Sequence, residues 1–386
     1  MTMVFNEEQR LLGDTARELF AALSPLAAAR RLRDTHDERG FDPLLWQRMV
    51  DLGWTAIPFP EELGGLDFGY LGLGAVFEQA GRSLVASPLL ASVVLGGSAL
   101  TLGGTPAQQQ RWLPQLIAGE ALFALAIDEQ GRHDPLATRL AARRQGEGWV
   151  LDGDKLFVLD GQVAGQLLVL ARSTGASGDS HGLTLFLVPA DAPGVDRRRS
   201  WLMDSRNAAS LCLRAVEVGG EAVLGQVDAG AALLDSLLDR GRTCLAAEML
   251  GMADALFETT LSYLKERVQF DVPIGSFQAL QHRCSWLYVD LQLARSTVLA
   301  ALSAIDAKDV NAAQLASLAK WKMGETLERV SSEAVQLHGG IGVTDELDVG
   351  LYLKRARVAQ ATFGDPAFHC QRYGRMIGID QEMSHG

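Results

Sequence analysis

A mainly α-helical protein with a central β domain is the fold class this sequence predicts, on three observations. Apolar residues recur at helical spacing from Asn6 to about Gly119, change to short period-two runs from about Glu120 to Gln226, and return to helical spacing from Asp228 onward. The final helical runs are long and joined by short connections, the pattern of an antiparallel four-helix bundle. No internal repeat and no low-complexity tail interrupts this order. The expected domains are therefore residues 1–119 (helical), 120–227 (β) and 228–386 (helical bundle).

In the first zone, Asn6 opens an N-cap-like run with Glu8 following, and Leu11, Leu12, Ala16 and Phe20 fall at helical intervals. Pro58-Phe-Pro-Glu-Glu-Leu-Gly-Gly-Leu66 reads as a loop, and Thr105-Pro106 as a capped helix start with proline in the first turn. In the second zone, Trp149 to Val158 carries Asp152-Gly153 between apolar runs, a hairpin cue. Leu167–Ala171, Leu183–Val188 and Leu211–Val218 read as further strands, with Ser173–Ser180 and Asp191–Gly194 as loops. The last zone predicts helices over about Ala231–Gln269, Phe277–Ala307, Asn311–His338 and Leu347–Ala361. Ser276 is the expected N-cap of the second, and Gly339 the residue that ends the third.

At 386 residues, 48% hydrophobic and 21% charged, the chain has the composition of an ordinary globular protein with room for several cores. A net charge of −12 argues against nucleic acid or an anionic membrane as partner. Ser83 to Gln110 is uncharged, but Pro88, Gly96, Gly97, Gly103 and Gly104 break it, so a buried helix pair is expected rather than a membrane span. The amino terminus has no basic region followed by an apolar core, and Cys212, Cys244, Cys284 and Cys370 lie apart. A cytoplasmic protein with reduced thiols and no metal site is the expectation. His338 and His369 read as packing or cofactor-edge residues.

Two segments carry chemistry. Ala334-Val-Gln-Leu-His-Gly-Gly-Ile-Gly-Val-Thr344 ends a helical run in clustered glycines, where bare backbone N–H groups can meet a bulky anion. Upstream, Arg267-Val-Gln-Phe-Asp-Val-Pro-Ile-Gly-Ser-Phe-Gln278 sets an arginine and glutamines beside a Pro/Gly break. The pair resembles the flavin-binding signature of the acyl-CoA dehydrogenase family, which reads R-x-Q-F-G-x-P-I-x-x-F-Q and Q-x-x-G-G-x-G. The resemblance extends over almost the whole chain. It includes Pro60-Glu-Glu-Leu-Gly-Gly-Leu66, Gly153-Asp-Lys-Leu-Phe-Val158, Gly251 with Tyr263 and Arg267, and Leu347-Asp-Val-Gly-Leu-Tyr-Leu-Lys-Arg-Ala-Arg357. It implies an N-terminal helical domain, a middle β-barrel and a C-terminal four-helix bundle. It further implies bound FAD, a tetramer of two dimers, and α,β-dehydrogenation of an acyl-CoA thioester in fatty-acid or steroid side-chain degradation. An electron-accepting flavoprotein is the implied redox partner.

The resemblance also assigns residues. Arg267, Gln269, Phe270, Gln278, Gln336, Gly339 and Gly340 stand where the family grips the pyrophosphate and adenosine of FAD held mainly by a neighbouring subunit. Asp271 stands where glycine is usual. Arginine offers a forked, charge-assisted contact to phosphate and the glutamines offer amide donors. The flavin-ring loop of the family, T-E-P-x-x-G-S-D, is here Ile127-Asp-Glu-Gln-Gly-Arg-His-Asp134, and its partner W-I-T-N is Leu156-Phe-Val-Leu-Asp160.

The dehydrogenation needs a base for the proton beside the thioester carbonyl. The family's glutamate lies in Y-E-G-T, here Phe363-Gly-Asp-Pro366, so Gly364 takes its place. At the alternative location on the first bundle helix, Gly241 stands between Arg240 and Arg242. Asp365, one residue further on, is a weak candidate, because an N-cap of the last helix is the cheaper reading of it, and Glu248, two turns along the bundle helix, reads as structural. Three readings follow. The chain resembles the small, base-lacking subunits of bacterial heterotetrameric acyl-CoA dehydrogenases that act on bulky or dicarboxylic acyl-CoAs, whose homologous companion supplies the glutamate. Alternatively it is a self-sufficient homotetramer using Asp365 or another base, or a flavin-free acyl-CoA-binding or scaffold protein.

Overall fold

The computed structural model describes residues 4–379. Helices come first: α1 (Glu7–Leu23), α2 (Leu26–Thr35), α3 (Pro43–Asp51), α4 (Gly69–Arg82), a π-helical stretch over Leu89–Gly96, α5 (Gly97–Gly103) and α6 (Pro106–Ile117). Strands follow: β1 (Phe123–Ala126), β2 (Ala141–Gln145), β3 (Gly148–Leu159), β4 (Gln166–Arg172), β5 (Leu183–Pro189), β6 (Val195–Trp201), β7 (Asn207–Val218) and β8 (Val223–Leu224). Then come α7 (Gly230–Glu266), the short strands β9 (Val268–Gln269) and β10 (Val272–Pro273), α8 (Gln278–Asp306), α9 (Ala312–His338), α10 (Val349–Ala361) and α11 (Pro366–Met376). The chain divides into two compact units. One takes the described residues of Met1–Asp34, Tyr70–Val85 and Arg242–Gly386, the other Thr35–Gly69 and Ala86–Gly241.

The second of these units is built on one sheet, ordered β6-β7-β3-β2-β4-β5-β8 with β1 alongside β4. Its inner face packs Trp149, Leu151, Val169, Phe186, Leu211 and Leu213 into a buried cluster, alternate residues of each strand pointing inward. The hairpin turn between β2 and β3 falls at Gly146-Glu147, not at the expected Asp152-Gly153. β3 runs straight through Asp152-Gly153 because it is laddered to β2 on one side and β7 on the other. The register shifts between Leu151 and Gly153, where Arg214 and Ala215 (φ 49°) of β7 oppose Asp152 alone, so the bulge lies in β7. Thr105 caps α6 and shares a capping box with Gln108. The uncharged stretch is the buried π-helical turn leading into α5, and among the described residues no helix is long and apolar enough to cross a membrane.

In the helical unit, α9 packs against α8, α10 and α11. α4 and α7 meet with backbones almost touching: a Cβ on Gly81 would lie 1.9 Å from Glu248 O, and one on Gly251 1.7 Å from Glu78 O. Only glycine permits that approach. Asn6 caps α1, with Gln9 rather than Glu8 completing the box. α7 stops at Glu266, short of the expected Gln269, and residues 268–273 turn back as the β9–β10 hairpin. Phe270 and Asp271, both at positive φ, reverse the chain, and Ile274 N–H donates to Arg267 O at 2.8 Å, so Arg267 already belongs to the hairpin and the helix ends before it. Ser276 does not cap α8. Its hydroxyl donates to Pro273 O at 2.7 Å, and Phe277 occupies the cap position.

Candidate active site

The two motif segments of the helical unit come together. Leu264 from the end of α7, Ile274 after the hairpin and Leu337 from the end of α9 form a small buried cluster. Tyr263 lies against His338 with ring centroids 4.4 Å apart, and its hydroxyl donates to His338 O at 3.3 Å. His338 is itself buried, its Nδ1 bonded to Ala334 O at 2.8 Å, which makes it a packing residue for the helix end. This contact sets the arginine hairpin beside the glycines.

At the helix end Gly339 has φ 64°, and a Cβ on either Gly339 or Gly340 would meet nothing within 4 Å, so the backbone faces open space. Arg267, Gln269, Gln278 and Gln336 line the same end of the bundle, and Arg267 has no carboxylate partner among the described residues. A guanidinium, amide donors and bare backbone N–H groups suit a pyrophosphate-bearing ligand, so the residues present fit FAD. Phe270 and Asp271 form the hairpin tip, both left-handed at φ 55° and 62°, and Phe270 is 85% exposed. Aspartate tolerates that conformation where the family has glycine, whereas a phenylalanine held there is strained.

The Phe363–Asp365 loop is closed by buried donors. Gly364 is buried at φ 109° after Phe363 at φ 59°. Arg242, 1% exposed, donates from Nε to Phe363 O at 3.1 Å. His369, fully buried, places Nε2 3.1 Å from the same carbonyl, which makes that nitrogen the protonated one. Lys320, also 1% exposed, donates from Nζ to Gln360 O at 3.0 Å and Gly364 O at 3.1 Å. Burial, helped by the Arg242 charge and opposed by Asp365, pulls the Lys320 ammonium down to about 7.

The carboxylates near this loop have other employment. Asp365 caps α11, its Oδ1 accepting from Phe368 N at 2.7 Å, and the residue is exposed. Glu248 is buried and accepts a forked pair of bonds from Arg355, each 3.0 Å. Gly241 is buried within α7, and Arg240 donates back to Ser236 O. Lys320 was missed in the sequence, although its spacing from Ala316, Met323 and Leu327 puts it on the buried face of α9.

In the sheet unit, the Ile127–Asp134 loop is tied down from within. Lys155, fully buried, donates to Ile127 O at 2.9 Å and Glu129 Oε1 at 2.8 Å. Glu129 also accepts from the backbones of Arg139 and Leu140, and Asp128 holds His133 Nδ1 at 3.0 Å. Burial lowers Lys155 to about 8 against the pull of Glu129. These acidic side chains fold the loop. Phe157 is 52% exposed at φ 52°.

The chain thus runs helices, a central sheet and helices again, with an arginine hairpin packed on a glycine-ended helix. Models of the acyl-CoA dehydrogenase N-terminal, middle and C-terminal domains match residues 6–120, 124–216 and 228–378. The chain is 32% identical over 333 residues to the mitochondrial 2-methylacyl-CoA dehydrogenase of Solanum tuberosum, covering 83% of this chain and 79% of that one. It is similar to the solved ChsE4-ChsE5 complex from Mycobacterium tuberculosis (TM-score 0.87, 30% identity, 98% and 99% coverage). It is also similar to a solved variant of the Tcur3481-Tcur3483 steroid ACAD (TM-score 0.87, 32% identity, 97% and 99% coverage). The chain belongs to the acyl-CoA dehydrogenase family, whose members are FAD-dependent oxidoreductases.

Proposed function

We propose that this chain is the subunit of a heteromeric acyl-CoA dehydrogenase that leaves proton abstraction to a homologous partner and donates FAD contacts across the interface. The observation that carries the reading is the Phe363–Asp365 loop. No side chain leaves it at Gly364, its carbonyls are taken by Arg242, Lys320 and His369, and the Asp365 carboxylate is spent on a helix cap. An ionisable group that is to take a thioester α-proton must be within hydrogen-bond reach of it and free to accept. Asp365 is committed to Phe368 N, and Glu248 to Arg355.

Bound FAD supplies the acceptor for the β-hydride. The part proposed for this chain is to hold it. Arg267 would pair with a phosphate, Gln269, Gln278 and Gln336 would donate amide bonds, and Gly339 and Gly340 would let the backbone close on the cofactor. Phe270, projecting from the hairpin tip, would pack on its apolar portion. Two similar solved assemblies carry two chain names each, and one is described as a steroid ACAD, which supports a heteromer acting on a bulky acyl-CoA. A cytoplasmic location and re-oxidation by a flavoprotein are part of the same proposal.

The test is the composition of the assembly. Affinity-tagged chain taken from its own cells and measured by native mass spectrometry should be found with a second family member and FAD. A pure homotetramer of this 41.6 kDa chain would overturn the heteromeric reading and favour the self-sufficient one.

A further inference from the structure

We propose that Phe368, backed by His369, keeps position 364 a glycine, so that this chain cannot regain a base there by a single substitution. The inference rests on reading Gly364 as the family's base position and adds the physical reason that the position stays empty.

A Cβ built on Gly364 would lie 2.4 Å from Phe368 Cδ1, 3.0 Å from Phe368 Cε1 and 2.9 Å from His369 Nε2. The first side-chain atom of any other residue therefore points onto the opening turn of α11. The obstacle is not the loose end of a flexible chain. Cδ1 is next to the ring's attachment point, and the Phe368 backbone is fixed by its N–H bond to the Asp365 cap. The ring stands edge-on to His369, centroids 5.1 Å apart, and the Arg242 guanidinium sits 5.5 Å from its centroid. His369 is held in turn by Phe363 O, and lies 3.5 Å from Ser317 Oγ. The loop, the cap and the two aromatic rings are thus one interlocked unit, and a side chain at 364 has to displace the rings before it can reach anything.

The backbone adds a separate penalty. At φ 109° a residue with a Cβ is strained even in open space. The experiment must therefore separate strain from collision, and a double-mutant cycle does so. Gly364→Ala, Phe368→Ala and the double variant are made in the full chain, and thermal unfolding is followed without substrate. The expected result is a clear loss of Tm for Gly364→Ala, shrinking to less than half when alanine is introduced in the Phe368→Ala background. Folding of the double variant where Gly364→Ala alone fails to fold would support the proposal equally. An equal loss in both backgrounds, no loss at all, or failure of both to fold would overturn it, because Phe368 would then not be the obstacle. The cycle reads stability and not turnover, so it stands or falls apart from the question of which subunit supplies the base.

Discussion

Removing Arg355 should destabilise the helical unit more than the loss of a surface charge, and the reason is the burial of its partner. The Glu248 and Arg355 side chains are 3% and 7% exposed and joined by two bonds of 3.0 Å. Arg355→Met takes the forked guanidinium away from a carboxylate held out of water. Breaking a buried pair on one side costs about 3–5 kcal/mol, whereas an exposed pair is worth about 0–1 kcal/mol. Replacing both members by well-packed apolar residues is often close to neutral, so Glu248→Met/Arg355→Met should recover most of the loss. Urea unfolding followed by the helical circular dichroism signal measures all three variants against the original chain. A single-variant cost below about 1 kcal/mol, or a double variant as damaged as Arg355→Met, would refute the reasoning.

Arg267→Ala should weaken FAD retention in the assembly by about 2 kcal/mol or more, read by equilibrium dialysis, and unchanged retention would remove Arg267 from the proposed FAD contacts. Lys320 supplies the pH prediction. Its folded value of about 7 lies below the ordinary 10.5, so between them the folded chain binds fewer protons than the unfolded one and stability rises with pH. The penalty is complete below about pH 7 and relieved above it. The original chain should therefore gain stability relative to Lys320→Met between about pH 6 and pH 9, and parallel urea midpoints would contradict this. Trp286 (70% exposed), Val289 and Leu293 leave an apolar stripe on α8, so the chain should self-associate or pair at micromolar concentration. Sedimentation showing a single 41.6 kDa species would count against that.

What was legible in the sequence followed local chemistry. Thr105-Pro106 starts a helix because the cap and the proline act within one turn, and Gly339 ends one because φ 64° favours glycine. The pairing of Arg267 with the glycine segment was legible through motif order, but the Tyr263–His338 contact that joins them was not, since 75 residues separate its partners. Asp152-Gly153 misled because its local preference for a turn lost to two flanking ladders. β6 escaped notice because Asp196, Arg197, Arg198 and Arg199 do not look like a strand. It lies at the sheet edge, where charge is tolerated and guards against stray pairing. Gly364 was legible only as a glycine between Phe363 and Asp365. Its clamping by Lys320 was not, because a lysine in a helix is ordinarily read as solvated.

The central claim is that no side chain of this chain abstracts the substrate proton, and turnover by the lone chain tests it most directly. The purified chain, reconstituted with FAD, is offered straight-chain, branched and steroid acyl-CoA thioesters with an artificial electron acceptor, alongside Asp365→Asn. The same substitution is then placed in the active assembly. The account predicts no dehydrogenation by the lone chain and an unchanged rate for the assembly carrying Asp365→Asn. Turnover by the lone chain that Asp365→Asn abolishes would contradict it and make Asp365 the base.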